Sequence, residues 1–113
     1  MVSNETIQRL LDFRRQREWE QFHSPKNLAI AIATEAAELL AEFRWTSDHD
    51  INPEVSRRGV EDELADVVIL SLYLAHDLEI DLDEAVQQKL LINEAKYPIT
   101  TSRGRARPEN GKP

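Results

Sequence analysis

The 113 residues include no cysteine, which excludes a disulfide framework, a thiol nucleophile and any cysteine-based zinc site. Also missing is an apolar run of the roughly 18 residues that a membrane span needs, because acids interrupt every hydrophobic segment. The opening Met1-Val2-Ser3-Asn4-Glu5 is polar and leads into no apolar core, so no signal peptide is expected. No stretch shows the sustained alternation of a half-buried strand, and no internal repeat is present. What remains is the expectation of a soluble, cytoplasmic, all-α protein. Its length suits one domain with one modest core.

Charge is present in quantity but unevenly placed: 21 acids stand against 14 bases, a net −7. Residues 101–113 hold Arg103, Arg105, Arg107 and Lys112 against Glu109, a net +3 that leaves −10 on residues 1–100. Such a surface repels a phosphate backbone, so no nucleic acid polymer is expected as partner. A free nucleotide is compatible, because divalent ions invert the local field. Gly104, Pro108, Gly111 and Pro113 make residues 99–113 read as a flexible basic tail after a domain at 1–98, with an anionic contact arm as the other use.

Helix signals order the rest. A first helix is expected over 4–22, with Ile7, Leu10, Leu11, Arg14 and Phe22 around its inner face. Ser24-Pro25 then starts a second, since the serine oxygen accepts an orphan N–H and proline at the first helical position has none to lose. That helix should run from Lys26 to Trp45, and its Leu28–Ala33 run is apolar all round, which suits a central position. Thr46 to Pro53 read as a loop, with Asn52-Pro53 a second start signal. A third helix follows from about Glu54 or Val55 to Leu78, with Gly59 weakening the boundary. Asp81 with Glu84 resembles a capping box opening a fourth helix to about Ala95, stopped by Pro98. Two of the four helices are apolar nearly all round, more than a lone bundle of this size can cover, so a homodimer or dimer of dimers is expected.

Within this frame, Glu35 with Glu38 and Glu63 with Asp66 each stand three residues apart on one helix face. Two such helices side by side would bring four carboxylates together. Burying even one unpaired carboxylate costs several kcal/mol, so the acids must be solvated, protonated or bound to metal. An ordinary polar stripe is the plainer alternative. Against it, helix two has few other polar residues, and Ala33, Ala36 and Ala37 leave room for a close partner. Oxygen-only ligation suits Mg²⁺, with Mn²⁺ a possible substitute, and hence phosphate chemistry. Glu42, one turn past Glu38, either supports the site or faces solvent.

Trp19, His23, Asn27 and Trp45 form a second group: flat rings suit stacking on a nucleobase, and His and Asn can read its edge. The same residues could equally serve as core and cap. Lys89, Asn93, Lys96 and Tyr97 form a third, on one face of helix four, able to meet phosphate and sugar or simply to complement a helix C-terminus. Glu20-x-x-His23 matches half of a di-iron element. His49 falls in a predicted loop and His76 has Tyr73 three residues before it, so no second copy exists and a redox di-iron site is not expected.

These groups in this order resemble the all-α nucleoside triphosphate pyrophosphohydrolases, the MazG-like superfamily, whose mark is Glu-x-x-Glu followed across a loop by Glu-x-x-Asp. Glu35-Ala36-Ala37-Glu38 and Glu63-Leu64-Ala65-Asp66 supply it. Trp19-Glu20-Gln21-Phe22-His23, Pro25-Lys26-Asn27-Leu28, Phe43-Arg44-Trp45 and Lys89 through Asn93 to Tyr97-Pro98 are similar to the dCTP pyrophosphatase branch. The resemblance implies a four-helix bundle in a homo-oligomer, up to a homotetramer, and a Mg²⁺-dependent enzyme cleaving a nucleoside triphosphate between the α and β phosphates. It further implies Glu35, Glu38, Glu63 and Asp66 as metal ligands, with Trp19, His23, Asn27 and Trp45 at the base. Lys89, Asn93, Lys96 and Tyr97 would meet phosphates and sugar. Glu38 is the first choice as general base, ahead of Glu42. The implied role is nucleotide-pool house-cleaning on dCTP or modified cytosine triphosphates. Open alternatives are the same chemistry on dUTP or a damaged purine triphosphate, and a non-enzymatic helical oligomerisation module.

Overall fold

Four helices begin on a side chain that captures an orphan backbone N–H. In the computed structural model, which describes residues 1–44 and 56–106, α1 spans Asn4–Gln16, α2 Pro25–Ala41, α3 Arg57–Asp77 and α4 Leu82–Lys96. Ser3 caps α1, Ser24 caps α2 and Ser56 caps α3 through their hydroxyls, and the Asp81 carboxylate caps α4, at N–O distances of 3.2, 3.1, 3.0 and 3.1 Å. Among the described residues there is no strand. None of the helices among the described residues is long and apolar enough to cross a membrane.

The chain divides into two compact units, Met1–Ile80 and Asp81–Pro113. In the first, α2 and α3 pack along each other as an antiparallel hairpin, since Glu42 at the end of α2 meets Gly59 at the start of α3, while Glu35 meets Glu63 further along. α1 lies against the C-terminal part of α3: the Tyr73 hydroxyl donates to the Leu10 carbonyl at 2.8 Å, and Arg14 pairs with Asp77. Leu28, Leu72, Tyr73 and Ala75 are the buried residues of this core. Arg14 joins them, a guanidinium at 4% exposure. Many large apolar side chains stay open, among them Ile30 and Leu40 on α2 and Leu64 and Val68 on α3.

The first helix is shorter than its sequence suggests. α1 stops at Gln16, Glu18 turns into the left-handed region at φ 53°, and a 3-10 turn, Trp19–Phe22, follows. Nothing in Gln16-Arg17-Glu18 forbids helix. The break swings Trp19 onto Phe13, with ring centroids 5.6 Å apart, and His23 onto Tyr73, also 5.6 Å, contacts that offset the left-handed residue's cost of roughly 1–2 kcal/mol. α3 ends with Glu79 at φ 55°; Ile80 N–H reaches the Ala75 carbonyl at 2.8 Å and Glu79 N–H the His76 carbonyl at 3.1 Å. That is a Schellman closure made without glycine.

In the second unit, α4 runs to Lys96, one residue beyond the expected end, and Tyr97 N–H closes it on the Asn93 carbonyl at 2.8 Å. Pro98 stops the helix, then opens one more helical turn, α5 at Ile99–Ser102, inside the segment read from sequence as tail. Val86, Leu90, Leu91 and Ile92 of α4 are exposed. α2 ends at Ala41, short of the expected Trp45, and residues 42–44 are turns, the Glu42 N–H closing on the Leu39 carbonyl at 3.2 Å. The expected loop from Thr46, with its Asn52-Pro53 start signal, lies outside the described residues, as do Trp45 and the expected start of the third helix at Glu54 or Val55.

Candidate metal centre and nucleotide site

Glu35 on α2 and Glu63 and Asp66 on α3 each offer a carboxylate oxygen within 4.8 Å of the others. The spacing dictates this. Glu63 and Asp66 sit three apart on the face of α3 that meets α2, and Glu35 stands opposite in the antiparallel register. Glu35 and Glu63 are half-buried and Asp66 is exposed. The Glu35 carboxyl lies in hydrogen-bonding reach of Glu63, and that contact, with partial burial and the charges of Glu35, Asp66 and Glu38, pushes Glu63 up to about 7. Asp66 is also raised, by burial first and then by Glu35 and Asp62.

One oxygen of the Glu63 carboxyl, Oε2, is enclosed and has no hydrogen-bond partner. An enclosed, unpartnered oxygen on a carboxyl grouped with two further acids is a poor arrangement for a bare protein. Either a shared proton or a cation relieves it. The donor set is entirely hard oxygen, so it fits Mg²⁺ or Mn²⁺ and offers nothing to softer metals. Glu38, one turn along α2, is exposed; its charge is felt at Glu63, yet it is not among the three converging groups. Glu42 continues the same face and folds its carboxylate over Gly59, where a Cβ would meet its oxygens at 2.6 and 2.7 Å. The bare backbone of Gly59 thus gives Glu42 its seat, one turn before Glu63.

Trp19 and His23 are brought together, with ring centroids 6.4 Å apart at 63°. Trp19 is half open to solvent, whereas His23 is half-buried, and its Nδ1 is enclosed and unpartnered. Burial, then the Arg14 charge, holds the imidazole pKa below its ordinary value against opposing pulls from Asp77 and Glu20. Asn27 uses its side-chain amide to donate to the Phe22 carbonyl at 3.2 Å, bracing the turn before α2. Trp45 lies outside the described residues. In the second unit Lys89, Asn93, Lys96 and Tyr97 follow one another along α4 and its end, with the Lys96 ammonium 5.4 Å from the Tyr97 ring centre.

Sequence reasoning placed Arg14 on the inner face of helix one but not its partners. Arg14 donates to both Asp77 oxygens, at 2.9 and 2.8 Å, and its guanidinium lies 4.6 Å from the Tyr73 ring centre. An arginine in an otherwise apolar stripe signals that some acid must meet it. Which acid, 63 residues away, no local pattern tells.

Residues 30–108 match the MazG-like family. The curated protein dCTP pyrophosphatase 1 of Mus musculus is 40% identical over 107 residues, which are 90% of this chain and 63% of that protein. Its Homo sapiens counterpart is 38% identical over 108 residues, 91% of this chain and 64% of that one. The chain therefore spans just under two thirds of the length of these relatives. A crystal structure of a pyrophosphatase from Archaeoglobus fulgidus aligns at TM-score 0.76 and 46% identity, covering 83% of this chain and 90% of that one. The family match takes in both acid pairs and most of the two helices that carry them, and by that match and these relatives the chain belongs to the MazG-like family.

Proposed function

We propose that this protein is a divalent-metal-dependent nucleoside triphosphate pyrophosphohydrolase, acting on dCTP or a related cytosine nucleotide to give the monophosphate and pyrophosphate. The observation that carries the reading is the meeting of Glu35, Glu63 and Asp66, one oxygen of Glu63 being enclosed and unsatisfied. Relatives named as dCTP pyrophosphatase support the substrate class.

In this reading Glu35, Glu63 and Asp66 hold Mg²⁺, with Mn²⁺ as substitute, and Glu38 turns inward to join them. When bound, the ion supplies positive charge against the phosphates and against the charge that builds on the leaving pyrophosphate. Glu38 is also assigned, ahead of Glu42, to take the proton of the attacking water at its carboxylate. Trp19 stacks on the base while His23 and Asn27 flank it, Trp45 completing the pocket. Lys89, Lys96, Asn93 and Tyr97 bind phosphates and sugar. Asp66 and Tyr73 are seven residues apart on α3, a rise on the order of 10 Å, a separation that one extended nucleotide can bridge.

The open apolar faces of α2, α3 and α4 support self-association as a homodimer or a dimer of dimers. A cytoplasmic house-cleaning role and a domain at 1–98 followed by a basic C-terminal segment complete the proposal. Product analysis over dCTP, modified cytosine triphosphates, dUTP and a damaged purine triphosphate, with and without Mg²⁺, tests it. Pyrophosphate released only with the metal is expected. Release of orthophosphate, or no turnover of any member, would contradict it.

A further inference from the structure

Tyr73 ties α3 to α1. It is buried to 4% exposure, its hydroxyl donates to the Leu10 carbonyl at 2.8 Å, and the Arg14 guanidinium lies 4.6 Å from its ring centre. Arg14 is in turn fixed by two bonds to Asp77, one turn further along α3. Two helices, α1 and α3, therefore meet at one phenol ring. The third contact is the imidazole of His23, 5.6 Å away at an interplanar angle of 37°.

His23 has little else to hold it. It follows a 3-10 turn rather than ending a helix, its ring nitrogen Nδ1 has no partner, and its other ring neighbour, Trp19, is half exposed. A ring held by one rigid neighbour takes its orientation from that neighbour. The geometry points to Tyr73 as a positioning residue: clamped by Arg14–Asp77 and by Leu10, it fixes the imidazole of His23 and thereby the discrimination among nucleobases. This assignment rests on the proposed function, in which His23 faces the base. The groups that set the imidazole's charge state are those around the same ring: Arg14 disfavours protonation, while Asp77 and Glu20 favour it. Replacing the phenol thus disturbs both the direction and the surroundings of His23 without touching the carboxylates on the other half of α3.

The test compares Tyr73→Phe and Tyr73→Leu with the unaltered protein, each checked for a cooperative melt. In the nucleotide-free protein, NMR of the His23 ring protons reads the contact directly, because a nearby phenol ring displaces their resonances. The displacement should persist in Tyr73→Phe and vanish in Tyr73→Leu. In turnover with Mg²⁺, Tyr73→Leu should raise KM for the preferred nucleotide about tenfold and narrow its preference over dUTP by a similar factor. kcat should stay within about twofold, and Tyr73→Phe should restore most of the loss. Should Tyr73→Leu prove unfolded, Tyr73→Phe with Asp77→Asn, which loosens both clamps while keeping a ring, carries the same expectation at smaller amplitude. An unchanged His23 spectrum in Tyr73→Leu overturns the assignment, as does a fall in kcat at constant KM and constant base preference. Absence of any nucleotide turnover in the unaltered protein would instead refute the proposed function, leaving the NMR arm to judge the positioning of His23 alone.

Discussion

Arg14 of α1 and Asp77 of α3 form a two-point ion pair, at 2.9 and 2.8 Å, in which the arginine side chain is 5% exposed and the aspartate 25%. Such a pair stabilises chiefly by making removal of either member costly: a lone guanidinium would be left in the core. Asp77→Asn should cost about 2 kcal/mol, below the 3–5 of fully buried pairs because Asp77 is partly wetted. The Arg14 hydrogen bonds hold the Asp77 carboxyl below its ordinary 3.8. A depressed acid contributes fully above the unfolded value and loses its contribution as pH falls through the folded one. Melting from pH 7 to pH 2 should therefore show an acid-labile component in the parent that Asp77→Asn lacks.

Glu63 has the opposite sign. Its carboxyl is raised to about 7 from 4.5, so in the metal-free protein its ionisation opposes folding, and stability falls as pH rises through that interval. Mg²⁺ should reverse this trend by pairing the ionised form. Calorimetric titration of Mg²⁺ in buffers of differing ionisation enthalpy should show proton release at pH 6.5 that disappears by pH 8.5, with tighter binding at the higher pH.

The ends of α3 carry two independent handles on stability. Ser56→Ala removes the cap on the Gly59 N–H and should cost about 1 kcal/mol by chemical denaturation. Glu79→Gly relieves a left-handed residue at φ 55° in the Schellman closure and should gain roughly 0.5–1 kcal/mol, its unfolded-state entropy offsetting part of the relief.

Leu28, at 1% exposure, is the most enclosed side chain of a small core. Leu28→Ala should cost about 2–5 kcal/mol and shift the thermal midpoint by ten degrees or more, on the order expected for a domain this size.

Much of this fold was readable along the chain because its signals are local. Ser24-Pro25 and Asp81 with Glu84 marked the capping residues of α2 and α4, since a cap is a contact over three positions. The two acid pairs were equally legible as same-face partners. Three of the four acids converge and Glu38 stands outside the group, because α3 faces α2 at Glu35, a register set by packing between the helices and not by any local pattern. The break at Glu18 was illegible for a related reason: its cause is packing of Trp19 and His23 on rings elsewhere in the unit, and the residues at the break favour helix themselves.

The claim on which the rest turns is that Glu35, Glu63 and Asp66 form one cation site, and Mg²⁺ titration of the metal-free protein at pH 8 by calorimetry measures it directly. Saturable binding is expected in the parent, with its loss in Glu63→Gln and Asp66→Asn, both of which should melt at least as high as the metal-free parent because they remove repulsion. Equal binding by parent and variants, or none by the parent in the presence of a non-hydrolysable dCTP analogue, would contradict it.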